Sequence, residues 1–354
     1  MQSLDILLQL LEIPSPTYGE AEKTDAIQAF MSTHLPEYTQ IRHGNGLIAQ
    51  YKNPGKPVLA FVGHTDTVPP FFKPHQQDGK VFGSGASDMQ AGIASMLSVL
   101  IQQHAALTTQ YELCVVIYDK EEGTALEDNG LYALMQQEAA LFKAINVAIV
   151  AEPTNNTLQL GCVGSLHYTL TVNGQAAHSA RPWDGDHALY KALPVIQHLA
   201  GIAPKPQEVF GVTFHDVVDI TESQSQTGRT TVPGTWTANI NYRFSPVHTM
   251  AQAKAYVEST VQACGLNDYD LTVLNAVDAG QVVMHPLLQT WMDMPNINVE
   301  AKQAWTDVAQ LTALGIAAVN FGPGLTSQAH QTNEYVVHAD MLAYEQALKN
   351  MLLL

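Results

Sequence analysis

The sequence predicts an α/β protein built on a mixed, largely parallel sheet and interrupted by an inserted α+β sandwich. Short apolar runs bounded by turn residues recur at residues 57–63, 113–118 and 147–150, the pattern of strands buried on both faces. A helical stretch with apolar residues at Ile93, Met96, Leu97 and Leu100 separates the first two runs. Between residues 165 and 277 the pattern changes to alternating apolar and polar positions, the mark of half-buried strands.

Each apolar run ends in a chemically capable group. Pro57-Val58-Leu59-Ala60-Phe61-Val62-Gly63 delivers His64-Thr65-Asp66. Side chains alternate along a strand, so His64 and Asp66 share a face, which sets Asp66 to hydrogen-bond the far nitrogen of His64 and fix its tautomer. A glycine-punctuated stretch, residues 81–92, then carries Ser87 and Asp88 to the start of the next helix, where on their own they read as N-caps. The second run leads into Asp119-Lys120-Glu121-Glu122-Gly123, and adjacent carboxylates at a strand terminus repel unless a cation or a shared proton compensates. The third run delivers Glu152, and His330 follows much later, with Asn333 and Glu334 beside it as supporting residues. Ligands of open α/β sheets gather at the carboxyl ends of strands. Imidazoles and carboxylates gathered there can hold two divalent cations and leave one carboxylate to move a proton, the means of metal-assisted hydrolysis.

The alternating segment reads as a separate unit. Residues 166–172 form a half-buried strand, and Asn173-Gly174 supplies a two-residue hairpin turn. A helix over 188–199, a strand over 236–243, a helix over 250–264 and a strand at 271–274 complete it. The expected domains are therefore a discontinuous one, residues 1–164 plus 278–354, and an inserted one, residues 165–277.

Composition narrows the function classes. With 46% hydrophobic and 14% charged residues among 354, the chain can bury a large core and divide into two domains. A formal charge of -17 argues against nucleic acid or an anionic membrane as partner. Residues 4–12 are apolar but carry Asp5 and Glu12 and no basic leader, so they read as an amphipathic helix, and the protein is expected to be cytoplasmic. Cys114, Cys162 and Cys264 have no recognisable spacing, so no disulfide framework is expected. Of the arginines, Arg181, Arg229 and Arg243 all fall inside the inserted segment, and such concentration suggests fork-shaped recognition of a carboxylate.

The chain resembles the zinc-dependent aminoacylase and carboxypeptidase family that includes succinyl-diaminopimelate desuccinylase and acetylornithine deacetylase. The resemblance runs from Ile13-Pro14-Ser15-Pro16-Thr17 through Gly63-His64-Thr65-Asp66-Thr67-Val68-Pro69, Ser87-Asp88-Met89, Glu121-Glu122-Gly123, Glu152-Pro153-Thr154 and Ala177-His178-Ser179 to Ala329-His330. It implies two divalent ions, Zn2+ with Co2+ or Mn2+ as alternatives, one held by His64, Asp88 and Glu152 and the other by Asp88, Glu122 and His330. It also implies a cis Asp88-Met89 peptide. Glu121 would be the general base that deprotonates the attacking water and later protonates the leaving amine, with Asp66 orienting His64. The inserted domain would be a lid and dimerisation domain of a homodimer, with His178 acting in the other subunit and Arg243 and Ser165 contacting a small N-acyl amino-acid substrate. Residues 304–309 and 320–324 resemble the desuccinylases, which implies hydrolysis of N-succinyl-LL-diaminopimelate. Cys162-Val163-Gly164-Ser165 lacks the arginine pair common before this Gly-Ser, and Arg229-Thr230-Thr231-Val232-Pro233 lacks the asparagine common before Val-Pro, which keeps N-acetylornithine and other N-acyl amino acids as alternative substrates. A metal-free binding protein on the same fold is the reading from outside enzymology.

Overall fold

The apolar runs form the centre of an eight-stranded sheet because nothing in them needs water. In the computed structural model, which describes residues 2–225 and 228–353, Val58–His64 is buried along its whole length. It pairs in parallel with Glu112–Tyr118 on one side and Ile145–Val150 on the other. Ala317–Asn320 extends the parallel set beyond Ile145–Val150. Gly46–Tyr51 lies antiparallel on Glu112–Tyr118, Thr39–His43 antiparallel on Gly46–Tyr51, and Leu158–Leu160 antiparallel on Ala317–Asn320. The result is the mixed α/β sheet expected. Its parallel strands finish at one edge, so the residues that follow Val62, Tyr118, Val150 and Asn320 emerge together.

The chain divides into two units. One comprises Met1–Gly161, Val282–Glu300 and Gln310–Leu354, and the other Cys162–Gln281 and Ala301–Ala309. In the first, helix Ala91–Gln110 buries every residue from Ala91 to Leu100, which is what an all-round apolar helix must do. Ser3–Leu11, burying Ile6, Leu7, Leu10 and Leu11, and His338–Leu352 pack against it. A small three-stranded sheet joins Tyr335–Val337 to Lys80–Phe82 and His75–Gln77, with Tyr335 opposite Phe82.

The second unit is an antiparallel five-stranded sheet in the order Lys205–Val209, Val212–Gln224, Thr235–Phe244, Gly164–Asn173, Tyr269–Val277. Alternation gives it two unlike faces. Leu166, Tyr168, Leu170, Val172, Trp236, Ile240 and Tyr242 form a core with Val195, Leu199, Val257 and Val261 of its helices. Helix Met250–Ala263 starts with a capping box from Thr249 and Gln252. The single helix expected over 188–199 is two, Ala188–Lys191 and Leu193–Ala200, the second beginning with Pro194 in its first turn.

The expected hairpin is absent as well. Asn173-Gly174 does not turn a hairpin: Gly164–Asn173 pairs with Thr235–Phe244 and Tyr269–Val277, distant in sequence. A type I′ turn needs positive φ at both central residues, and neither Asn173 nor Gly174 has it. Gly174 is instead required for close approach, since a Cβ there would collide with the Asp186 carbonyl oxygen.

No helix among the described residues is long and apolar enough to cross a membrane. The three cysteines are free, with Cys114 and Cys162 buried.

Gly92 sits where the long helix meets the chain just before Glu152, and a Cβ on it would collide with the Ala151 carbonyl oxygen. Gly92→Ala should therefore lower the free energy of unfolding by about 1–3 kcal/mol, the usual cost of overpacking. Urea unfolding measures this, and an unchanged midpoint would show that helix and strand can part freely.

Candidate metal centre

The first unit brings His64, Asp88, Glu122, Glu152 and His330 together at the carboxyl edge of its sheet. His64 is buried, and its Nδ1 lies 3.1 Å from the main-chain oxygen of Asp66 and 3.4 Å from Asp66 Oδ1. In the neutral ring that side carries the proton, which leaves the Nε2 lone pair facing the cluster. His64 Nε2 is buried with no hydrogen-bond partner, 3.4 Å from Asp88 Oδ1 and 4.0 Å from Glu152 Oε1. The other oxygen of Asp88 lies 3.9 Å from His330 Nε2, which is 2.9 Å from Glu122 Oε2. Asp88 thus stands between the two imidazoles, one carboxylate oxygen toward each. Ligand atoms of His64, Asp88 and Glu122 all lie within 4.8 Å of one another. His330 is half exposed and adopts φ 63, uncommon for a residue with a Cβ.

Ser87 and Asp88 do not cap the helix. The Asp88-Met89 peptide is cis, as the resemblance implied, and Asp88 has non-helical φ -118 and ψ 95. The helix begins at Ala91, one residue after a Gln90 that makes no side-chain cap. The local conformation turns the Asp88 carboxylate toward the histidines, while Ser87 Oγ donates to the Leu325 carbonyl at 3.0 Å.

Three buried carboxylates hold this assembly through main-chain amides. Asp66 accepts the N–H groups of Glu121 at 3.1 Å and Glu122 at 2.9 Å, and the Thr17 hydroxyl at 3.2 Å. It therefore orients the His64 ring chiefly with its carbonyl and the Glu121-Glu122 loop with its carboxylate. Burial opposes its ionisation, yet His64 and these amides hold Asp66 below the usual carboxylate range. Glu334 accepts N–H from Gly85 at 2.6 Å through one oxygen, and from Ser87 at 2.7 Å and Asp88 at 2.8 Å through the other. Pairing of Tyr335 with Phe82 puts it there. Asn333 is exposed. Glu20 accepts from Tyr18 N at 2.7 Å and Lys120 N at 3.3 Å.

Sequence reasoning passed over Glu20 and Lys23. Lys23 is almost wholly buried, and burial pulls its ammonium down to about 7 against the opposing charges of Glu334 and Asp66. Its spacing of four from Ile27 and eight from Met31 puts it on the buried stripe of helix Ala21–His34, the signal that could have found it.

The electrostatics call for cations. Burial, then the charge of Asp88, push Glu122 up to about 8, with His64 opposing. Burial resists protonation of His64, but Asp66, Asp88 and Glu121 outweigh it and raise its pKa well above the ordinary value. An orphaned, buried imidazole nitrogen among crowded carboxylates fits divalent metal ions. Glu121 is half-buried, and its charge reaches His64.

The remaining predicted residues lie in the second unit. His178 is exposed, in a two-residue strand paired with Thr231–Val232. Its Nδ1 accepts the N–H of Ala180 at 3.1 Å, so a neutral ring carries its proton on Nε2. Ser165 is buried, its Oγ 3.1 Å from His167 Nε2. Arg243 donates Nε–H to Asn241 Oδ1 at 3.1 Å, and among the described residues no carboxylate lies within 4 Å of its guanidinium. Arg181 is exposed and 3.7 Å from Asp184, and Arg229 is exposed.

Replacing Glu334 by glutamine keeps its size but turns an amide NH2 toward main-chain donors. Glu334→Gln should weaken divalent-metal binding about 10- to 100-fold, the usual effect of losing an outer partner of a ligand. Calorimetric titration with Zn2+ reads this directly, and affinity equal to the parent's would mean that the Gly85–Asp88 loop holds itself.

The chain also matches known proteins along most of its length. The model of peptidase family M20/M25/M40 matches residues 60–354. A succinyl-diaminopimelate desuccinylase of Corynebacterium glutamicum is 30% identical over 334 residues, 92% of this chain and 89% of that protein. A Mycobacterium tuberculosis protein provisionally given the same name is 31% identical over 354 residues, 99% of this chain and 97% of its own. Among solved structures, a Staphylococcus aureus tripeptidase superposes with TM-score 0.78 at 18% identity, covering 99% of this chain and 97% of that one. With its fold, its clustered histidines and carboxylates and the match along most of its length, the chain belongs to peptidase family M20/M25/M40.

Proposed function

We propose that this hydrolase is a metal-dependent succinyl-diaminopimelate desuccinylase, converting N-succinyl-LL-2,6-diaminopimelate and water to succinate and LL-diaminopimelate. The observation that supports it most is Asp88 set between His64 and His330, with Glu152 beside one and Glu122 beside the other. The names of the relatives supply the substrate.

Two divalent ions, Zn2+ or alternatively Co2+ or Mn2+, would be held by His64, Asp88 and Glu152 and by Asp88, Glu122 and His330. When bound, they lower the pKa of water and polarise the amide carbonyl. Glu121, whose carboxylate belongs to neither set, takes the proton from the attacking water and hands it to the amide nitrogen, so the C–N bond breaks to give a neutral amine. Asp66 keeps Glu121 in place through the Glu121 N–H and keeps the His64 ring turned with Nε2 inward. His178, from the second copy in a cytoplasmic homodimer, donates from Nε2 to the amide oxygen as negative charge builds there. Arg243 and Ser165 take a carboxylate of the substrate. The second unit would then serve as lid and dimerisation domain.

An N-acetylornithine deacetylase, or a hydrolase of another N-acyl amino acid, is the second reading. The absence of an arginine pair before Gly164-Ser165 favours it.

Purified protein with metal restored should hydrolyse N-succinyl-LL-diaminopimelate faster than N-acetylornithine in parallel assays. The reverse preference would move the assignment to the deacetylases. Glu121→Gln should lower kcat at least about 10²- to 10⁴-fold with metal stoichiometry intact, whereas Glu122→Gln should lose metal from one site. Loss of metal from Glu121→Gln would exchange the two roles.

A further inference from the structure

The face of the second unit's sheet opposite its core carries a chain of polar side chains that ends at Arg243. Asn241 lies directly across from His167 on the neighbouring strand, and Arg243 across from Ser165. Arg243 Nε donates to Asn241 Oδ1 at 3.1 Å, and Asn241 Nδ2 lies 2.9 Å from His167 Nε2. On the other side of the ring, His167 Nδ1 is 3.0 Å from Asn239 Nδ2, which is 2.6 Å from Thr221 Oγ1. A register shift between Ile220 and Glu222 brings Thr221 into the chain.

Hydrogen-bond chemistry constrains the direction of these links, with the Ser165 hydroxyl, its Oγ 3.1 Å from His167 Nε2, able to donate to the ring as well. A neutral imidazole has one donor and one acceptor, yet both ring nitrogens face amide nitrogens, and Asn239 Oδ1 is buried without a partner. Exchanging the two ends of the Asn239 amide removes the donor–donor conflict at His167 Nδ1 and gives Oδ1 partners, while its NH2 takes the buried position. Asn239 Oδ1 then accepts from the Thr221 hydroxyl and from His167 Nδ1–H, His167 Nε2 accepts from Asn241 Nδ2–H, and Asn241 Oδ1 is left to accept from Arg243 Nε–H. Burial, assisted by the charge of Arg243, lowers the pKa of His167 and keeps the ring neutral. Asn239 and Asn241 are nearly buried, at 9% and 8% exposure, so neither amide can turn freely.

We propose that Asn241 and His167 are positioning residues that aim the Arg243 guanidinium at a carboxylate of the substrate. The proposal rests on the reading of Arg243 as a substrate contact. The guanidinium is half-buried, its side edge is committed to Asn241, and its two terminal nitrogens have no partner among the described residues. A fork held by one edge offers the other to a planar anion without first ordering a long side chain. His167 acts at one remove: were it to lose its acceptor nitrogen, Asn241 could turn its NH2 toward Arg243 and release the fork.

Steady-state kinetics on the metal-loaded enzyme with N-succinyl-LL-diaminopimelate tests this. Arg243→Ala should raise KM, and Asn241→Leu should raise KM about tenfold, with kcat within about twofold and metal content unchanged, because ground-state and transition-state binding of a remote carboxylate fall together. The double variant should have the KM of Arg243→Ala alone, since the two residues act as one device. His167→Phe should raise KM in the same direction, and His167→Gln, which can still offer an acceptor oxygen to Asn241, should restore it. If Arg243→Ala leaves KM unchanged, the reading of Arg243 fails. If it raises KM while neither Asn241→Leu nor His167→Phe does, or if the effects simply add, the positioning role is overturned. The His167 pair keeps the test decisive should Asn241→Leu fail to fold.

Discussion

Like charges crowded where water is scarce are the constraint on which the first unit depends. Unit charges about 4 Å apart interact by about 4 kcal/mol at an effective dielectric constant of 20, and Asp88, Glu122 and Glu152 all face the same small space. The displacement of Glu122 toward neutrality follows from this crowding and from burial. The fold meets the repulsion by pinning the backbone that carries the acids. Asp66 and Glu334 spend their oxygens on the main-chain N–H groups of Glu121, Glu122, Gly85, Ser87 and Asp88. An oxygen committed to amides has little left to give an ion. Supporting acids and ligating acids can therefore be told apart by what their oxygens touch.

The parts of this arrangement that follow from local pattern were legible in the sequence. Three uninterrupted apolar runs bounded by turn residues gave strands, and a polar group at the end of each gave the site. Where local pattern alone misleads or is silent, the cause is physical. Ser87 and Asp88 look like caps because local sequence cannot show that Glu334, 246 residues away, claims the Asp88 N–H. Asn173-Gly174 looks like a hairpin because the dipeptide is the same whether its glycine supplies positive φ or room for a neighbouring carbonyl. Glu20 and Lys23 went unread because their partners come from three separate segments of the chain. His167 went unread because a polar position in an alternating strand is ordinarily solvated, whereas this one is enclosed by two asparagines.

The second unit shows how much one alternation can encode. The residues that place Leu166, Tyr168, Ile240 and Tyr242 in the core necessarily place Ser165, His167, Asn239, Asn241 and Arg243 on the other side. Slippage of one strand by a single residue would exchange the two sets, so the hydrophobic core also protects the register of the polar face. A charge without a carboxylate partner among the described residues is held on that face by asparagine and histidine, which do not neutralise it.

The clasp that Glu334 makes on residues 85–88 has a consequence for how the protein is made. His64, Asp88, Glu122 and Glu152 leave the ribosome well before His330 and Glu334, and the whole of residues 162–281 is synthesised in between. Contacts so distant in sequence close late, after the loop-closure entropy between them has been overcome. Until then the nascent chain carries a sheet edge with acids but no hand to close the Gly85–Asp88 turn. The Gly85–Asp88 turn therefore takes its final form only once Glu334 has been made.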